Sequence, residues 1–293
     1  MRDERWHIGC SLALFVENAL PHESDEVNQA PIACRSCAAY SRAIETLIAA
    51  QVPFLVGGGF AVEVFVDAPR ARIKDLDLFL RPIDVGTALQ ALTHNGFVTR
   101  LHEPHWIAKA YDGDDFIDLI YATRNGLLEV DDQSFVDAPR QRVLGHEVAV
   151  QPVEEVIATK IFVMARDRFD VSDISHLILR FGERIDWRRL IERLAPHIEM
   201  LHVYLLLFQY IYPGQRAHVP SWVYDEVDAR ARNARERASP DKSSRGLALD
   251  PVAFAIDIER WGFFDGMRAE QVRSGPVPGA EIPPTDDPRR DAA

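Results

Sequence analysis

The segment Asp75-Leu76-Asp77-Leu78-Phe79-Leu80 constrains the fold more than any other stretch of the chain. Its strict alternation fits a half-buried β-strand and no helix. In a strand, Asp75 and Asp77 point to one side, roughly 6.6 Å apart along the chain, while Leu76 and Leu78 fill the other. Two carboxylates held about 4 Å apart repel by on the order of 4 kcal/mol at an effective dielectric near 20. A divalent cation removes that cost, and an oxygen-only ligand set favours Mg²⁺ or Mn²⁺.

A second acid repeats the signal. In Asp115-Phe116-Ile117-Asp118-Leu119-Ile120-Tyr121, Asp118 stands inside an apolar strand, where a lone carboxylate is costly without a cation or donor. If this strand pairs with Asp75–Leu80, three acids converge on one metal site. Upstream, Val52–Val56 reads as a short buried strand that breaks at Gly57, Gly58 and Gly59, with Phe60–Val66 resuming as a helix. Such a turn presents free backbone N–H groups at a helix N-terminus and cradles phosphate. The pieces together read as a nucleoside triphosphate with two metals.

The remaining pattern is α/β and then helical. A helix over Ser36–Gln51 places Tyr40, Ala43, Ile44, Leu47 and Ile48 on one face. Pro82 ends the Asp75–Leu80 strand, and Val85–Asn95 is a helix closed by Gly96. Phe97–Leu101 is a strand. His105–Tyr111 and Asp115–Ala122 form a hairpin across Asp112-Gly113-Asp114, and Arg140–Leu144 and Glu147–Val150 form another. Helices follow over Val153–Arg168, Ser172–Phe181, Trp187–Leu194, Ile198–Ile211 and Ser221–Arg235, with Ser172 and Asp186 as N-caps. Ala238–Gly246 reads as a polar linker and Ala253–Phe264 as a last apolar segment. The expected organisation is an N-terminal extension (1–35), an α/β domain (36–151), a helical domain (152–265) and a disordered proline-rich tail (266–293).

Composition limits the partners. With 45 acidic against 33 basic residues, the net charge of -12 disfavours non-specific nucleic-acid binding. The longest apolar run, near Leu201–Tyr212, is too short to span a membrane. Ile8–Val16 lacks the flanks of a signal peptide, so a cytoplasmic protein is expected. Cys10, Cys34 and Cys37 are too few for a disulfide framework, and Cys34-Arg-Ser-Cys37 has no second pair to complete a zinc set. A dinucleotide fold is disfavoured because Val62 stands where the third glycine belongs. Among the basic residues, Lys160 interrupts the apolar stripe Val153, Ile157, Met164, so it should snorkel or pair with an anion such as a triphosphate. Arg166, Arg168, Asp170 and Asp173 read as a structural ion-pair network rather than catalytic groups. Arg70, Arg72 and Lys74 lie in a loop where phosphate contact competes with plain solvation. His94, His102, His105 and His176 lack ligand spacing, and Trp106 and Tyr111 read as hairpin packing.

The run Val56-Gly57-Gly58-Gly59-Phe60-Ala61, then Arg72-Ile73-Lys74-Asp75-Leu76-Asp77-Leu78-Phe79, then Phe116-Ile117-Asp118-Leu119-Ile120 resembles the polymerase-β-like nucleotidyltransferase superfamily. Within it, the chain is similar to a poorly characterised bacterial nucleotidyltransferase group, over about residues 38–215. The resemblance implies an α+β fold with a mixed sheet followed by a helical domain. It implies that Asp75, Asp77 and Asp118 are catalytic and hold Mg²⁺ or Mn²⁺, Asp118 also helping to deprotonate an acceptor hydroxyl. Gly57, Gly58, Gly59, Lys74 and Lys160 would hold the triphosphate of an NTP co-substrate. The reaction would transfer a nucleoside monophosphate to a hydroxyl acceptor and release pyrophosphate; the acceptor does not carry over from the family, and the acidic charge balance favours a small molecule or a protein over RNA. The alternatives are a non-catalytic nucleotide- or partner-binding module of antitoxin-like type, and a toxin that modifies tRNA.

Overall fold

The computed structural model describes residues 37–67, 75–165, 168–237 and 242–267. The N-terminal extension with Cys10 and Cys34, the loop residues Arg70, Arg72 and Lys74, Arg166, and the tail beyond Met267 lie outside the described residues.

Elements follow in the order α1 (Cys37–Ala49), β1 (Leu55–Val56), α2 (Gly58–Val66), β2 (Leu76–Phe79), α3 (Pro82–His94), β3 (Val98–Glu103), β4 (Ile107–Asp112), β5 (Asp115–Ile120), α4 (Asp132–Phe135), β6 (Arg140–Val143) and β7 (His146–Ala149). Then come α5 (Val153–Lys160), β8 (Met164–Ala165), β9 (Arg168–Phe169), α6 (Val171–Phe181), α7 (Trp187–Arg193), α8 (Ile198–Ile211), α9 (Ser221–Glu236), β10 (Ser243–Ser244), α10 (Ala255–Glu259) and β11 (Phe264–Asp265).

The central sheet has the order β1-β2-β5-β4-β3. β2 and β5 run parallel, and the other neighbours are antiparallel, so the sheet is mixed, as the sequence implies. Register explains its two faces. Leu76 pairs with Ile117 and Leu78 with Leu119, and across β4 Ala110 meets Ile117 and Ala108 meets Leu119. All six are fully buried. They form one apolar face, and α1 and α3 pack beside it. Residues of opposite parity, Asp77 and Asp118 among them, therefore face the other way.

α1 buries Tyr40, Ala43, Ile44 and Leu47 as its periodicity requires, but Ile48 ends the stripe exposed. Only Leu55–Val56 of the first expected strand is paired. Pro82 does more than stop β2: it opens α3 in the first turn, where its missing N–H costs nothing. Gly96 follows that helix with φ +88°, in the left-handed region glycine accepts.

The expected helix Val153–Arg168 is corrected. It stops at Lys160, and the chain turns through Val163 N–H donating to Lys160 O before β8 pairs with β9. Lys160 explains the stop. Its ammonium bonds Asp170 Oδ2 at 2.7 Å and Asp173 Oδ2 at 2.8 Å, whereas ten residues of continuous helix would carry Asp170 about 15 Å away. Asp170, not Ser172, accordingly stands at the N-cap of α6, its carboxylate turned to Lys160 and Arg168. Asp186 caps α7 as expected, accepting from Arg189 N–H. Ser243–Ser244, expected within a linker, pairs in parallel with Phe264–Asp265.

Beneath α7, Glu155 is buried and forms ion pairs with two guanidinium groups, Arg189 and Arg193, both at 3.3 Å. Those arginines also reach Gln133 O, Val136 O and Glu129 O, which fastens α7 to the chain around α4. Among the described residues no helix is long and apolar enough to cross a membrane.

Candidate active site

The site begins where β1 gives way to α2. Gly57 N–H donates to Asp77 O at 2.9 Å, tying the glycine turn to β2. Nothing larger than glycine fits here. A Cβ on Gly57 would run into the Phe79 ring and the Gln151 amide, and one on Gly58 would occupy the position of the Asp77 carboxylate. Gly58 also has φ +54°. No side chain caps α2 at Gly57, so the first-turn N–H groups of Gly58 and Gly59 keep their capacity for an anion. Gln151 Oε1, buried beside this turn, has no hydrogen-bond partner. Gly58→Ala is expected to push Asp77 aside and to cost about 1–2 kcal/mol from the left-handed backbone alone. A lower urea midpoint together with loss of any Mg²⁺-induced rise in Tm would be the readout.

The three acids meet as the strand argument requires. Asp77 and Asp118 are register partners on β2 and β5, and Asp75 stands one residue before β2. One carboxylate oxygen from each lies within 4.8 Å of the others. Asp118 is buried, and Asp75 and Asp77 are half-buried. The Asp77 carboxyl is raised from 3.8 to about 7, by burial first and then by the charges of Asp75 and Asp118, against the pull of Lys160 and Arg168. Asp118 is also raised. Burial is the main cause, opposed by Lys109, while Asp75 adds to the rise and His102 counters it.

This donor set fits a hard divalent cation. All three ligands are carboxylate oxygens, and opposite oxygens of an octahedral Mg²⁺ stand about 4.2 Å apart. The raised Asp77 carboxyl points the same way, because a dication would replace the proton that burial and neighbouring charge force onto it.

Lys160 is buried near this cluster, and its charge reaches Asp77. Its hydrogen bonds, however, go to Asp170 and Asp173. Lys74 lies outside the described residues. Arg168 bonds Asp170 at 3.4 Å, as the ion-pair reading expects, yet it also feels the charges of Asp77 and Asp75. Tyr111 packs on Phe116 across the hairpin, ring centroids 6.2 Å apart.

One residue of the site escaped sequence reasoning. Lys109 on β4 is the register partner of Asp118, and its Nζ donates to Asp118 Oδ1 at 2.5 Å. The signal was present: a lone charge inside Ile107-Ala108-Lys109-Ala110-Tyr111, the same anomaly that singles out Asp118.

No family model matches the chain, and no curated protein matches it. Among solved structures it is similar to the antibiotic-resistance factor ANT(2'')-Ia, at 15% identity over 63% of this chain and 96% of that one, with a TM-score of 0.39. It is also similar to the lincosamide antibiotic adenylyltransferase LnuA, at 14% identity over 48% of this chain and 94% of that one, TM-score 0.37. A third is an antigenic nucleotidyltransferase-like protein from Paracoccidioides brasiliensis, at 17% identity over 58% and 90%, TM-score 0.34. The glycine turn and the three clustered aspartates are built by the motifs that carry the sequence resemblance.

Proposed function

We propose that the protein is a metal-dependent nucleotidyltransferase that moves a nucleoside monophosphate from an NTP to an acceptor hydroxyl. The observation that carries this reading is the meeting of Asp75, Asp77 and Asp118 beside an uncapped glycine turn.

Asp75, Asp77 and Asp118 would hold Mg²⁺ or Mn²⁺, which neutralises charge on the reacting phosphate when bound. The N–H groups of Gly58 and Gly59 would bind the β- and γ-phosphates, while Gly57 N–H holds the turn to β2. Lys160 and Arg168 supply positive potential on the same side, and Lys74 precedes the first aspartate. Asp118 accepts the proton of the acceptor hydroxyl as its oxygen bonds to the α-phosphorus. The bond to the bridging oxygen breaks, and pyrophosphate leaves with the electron pair. Such chemistry depends on positioning and charge neutralisation more than on covalent catalysis. α5 and α6, in the segment after Pro152, pack against α2, the helix that follows the glycine turn. The net charge of -12 favours a small hydroxylated molecule or a protein over RNA as acceptor.

The test is incubation with each α-labelled NTP and Mg²⁺ in cell extract, followed by separation of small-molecule, protein and RNA fractions. Label transfer with equimolar pyrophosphate, absent from Asp75→Asn/Asp77→Asn, is the expected result. NTP binding with no pyrophosphate released from any fraction would favour a non-catalytic module. Label confined to tRNA would favour the toxin reading.

A further inference from the structure

The face of the sheet that carries the aspartates continues past them onto β4 and β3. Lys109 on β4 stands opposite Asp118, and Arg100 on β3 stands opposite Lys109. One pair along, Phe116 faces Tyr111, and Tyr111 faces Val98. Side chains paired in this way share one face of the sheet. Lys109, Tyr111 and Phe116 are half-buried, whereas Arg100 and Val98 are exposed, so this part of the face opens to solvent. Its charge is positive. The Lys109 ammonium lies 4.3 Å from the Phe116 ring centroid and is neutralised by Asp118. The Arg100 guanidinium leans over Tyr111, 5.9 Å from its centroid, and among the described residues no carboxylate pairs with it. His102, in the bulge between Leu101 and Glu103, is near enough for its charge to act on Asp118. Glu103, the acid of β3, stands opposite Ile107 at the far end of the strand pair.

We propose that the acceptor is a small hydroxylated anion, bound across β4 and β3 with its body over Phe116 and Tyr111 and its carboxylate or phosphate on Arg100. The inference rests on the nucleotidyl-transfer reading above and names its substrate class. The direction of approach follows from the strand order β1-β2-β5-β4-β3. The glycine turn, with the β- and γ-phosphates, follows β1 at one edge of the sheet. Attacking and leaving oxygens stand roughly in line in phosphoryl transfer. Pyrophosphate leaving on the β1 side therefore admits the hydroxyl from the β4 side, past Asp118. Arg100 lies two strand spacings beyond Asp118, about 10 Å, within the length of a small molecule that carries its hydroxyl and its anionic group at opposite ends. A guanidinium without a carboxylate offers paired N–H donors to a carboxylate or a phosphate. A cationic acceptor would meet Arg100 and protonated His102 as like charges. Salt screens exposed charges more than about 8 Å away, so a single anionic group answers to Arg100 rather than to the net charge of the chain. One unpaired guanidinium also matches one anionic group, not the repeated phosphates of RNA.

The test divides the small molecules of a cell extract by ion exchange into anionic, neutral and cationic pools, with the macromolecules kept as a fourth fraction. Each is offered separately to the full chain with α-labelled NTP and Mg²⁺. The anionic pool is expected to support label transfer and pyrophosphate release, and the other three are not. Treating that pool with a phosphatase, removed before the assay, separates the two sources: lost transfer marks a phosphate, surviving transfer a carboxylate. Arg100→Met changes an exposed side chain, and circular dichroism checks that it is folded. It should raise the amount of anionic pool needed for half-maximal rate by about 10- to 100-fold, the scale of a lost charge-assisted bond, with the NTP requirement unchanged. Arg100→Lys should recover part of the loss. Transfer supported by the neutral or cationic pool instead, label confined to protein or RNA, or a folded Arg100→Met with the wild-type dependence on the anionic pool overturns the inference and leaves nucleotidyl transfer standing. No transfer from any of the four fractions defeats both.

Discussion

Asp77→Asn is expected to lower nucleotidyl transfer by about 10³-fold or more while making the metal-free protein more stable at pH 8. The loss follows from the position of Asp77, between Asp75 just before its strand and Asp118 on the next strand. It is the acid both neighbours share, and removing an electrostatic group that acts on developing phosphate charge has effects of this order. The gain follows from the same crowding. Burial and two neighbouring carboxylates disfavour a charge on Asp77, and an amide of the same shape removes that repulsion. Chemical denaturation in EDTA and a pyrophosphate-release assay on one preparation check both halves. A variant that loses activity and stability together would mean that the acids serve folding rather than cation binding.

The second large effect is a metal-dependent inversion of the pH profile of stability. The Asp77 carboxyl titrates near 3.8 in the unfolded chain and at about 7 in the folded one. Between those values the folded state binds more protons, so stability falls as pH rises and levels off above about pH 7. The shift corresponds to at most about 4 kcal/mol. Metal-free protein should therefore have a higher Tm at pH 5 than at pH 8, as far as this group decides it. Saturating Mg²⁺ should raise Tm strongly at pH 8 and little at pH 5, where a proton already holds the site. Calorimetry at the two pH values, with and without Mg²⁺, reads this directly, and an equal Mg²⁺ effect at both would contradict the assignment of the raised group to the cation site.

The site's acids were legible because each breaks a local rule. Asp75, Asp77 and Asp118 are charges set next to the apolar residues of β2 and β5, and alternation alone puts Asp75 and Asp77 on one face. The three glycines were legible for a related reason: a strand that halts on Gly57-Gly58-Gly59 and restarts as a helix needs backbone freedom and close approach. Lys109 obeyed the same logic. What hid it was dependence on β4 lying next to β5 in the one register that sets it opposite Asp118. The end of α5 was illegible for another reason. Helical periodicity runs on past Lys160, and only the long-range bonds to Asp170 and Asp173 stop it. Local propensity carries no record of such contacts. α4, four residues with an Asp131–Ser134 capping box, was too short to show a period.

The parallel pairing of β2 with β5 has a consequence for how the protein is made. Some forty residues separate Asp77 from Asp118, and β3, β4 and the intervening helix must be threaded before the two can become neighbours. Non-local pairing of this kind is slow to form. A nascent chain that has emerged only as far as α3 holds two of the acids and the whole glycine bend yet lacks the third, so competence for divalent ions arrives late in biogenesis, with the closing hairpin.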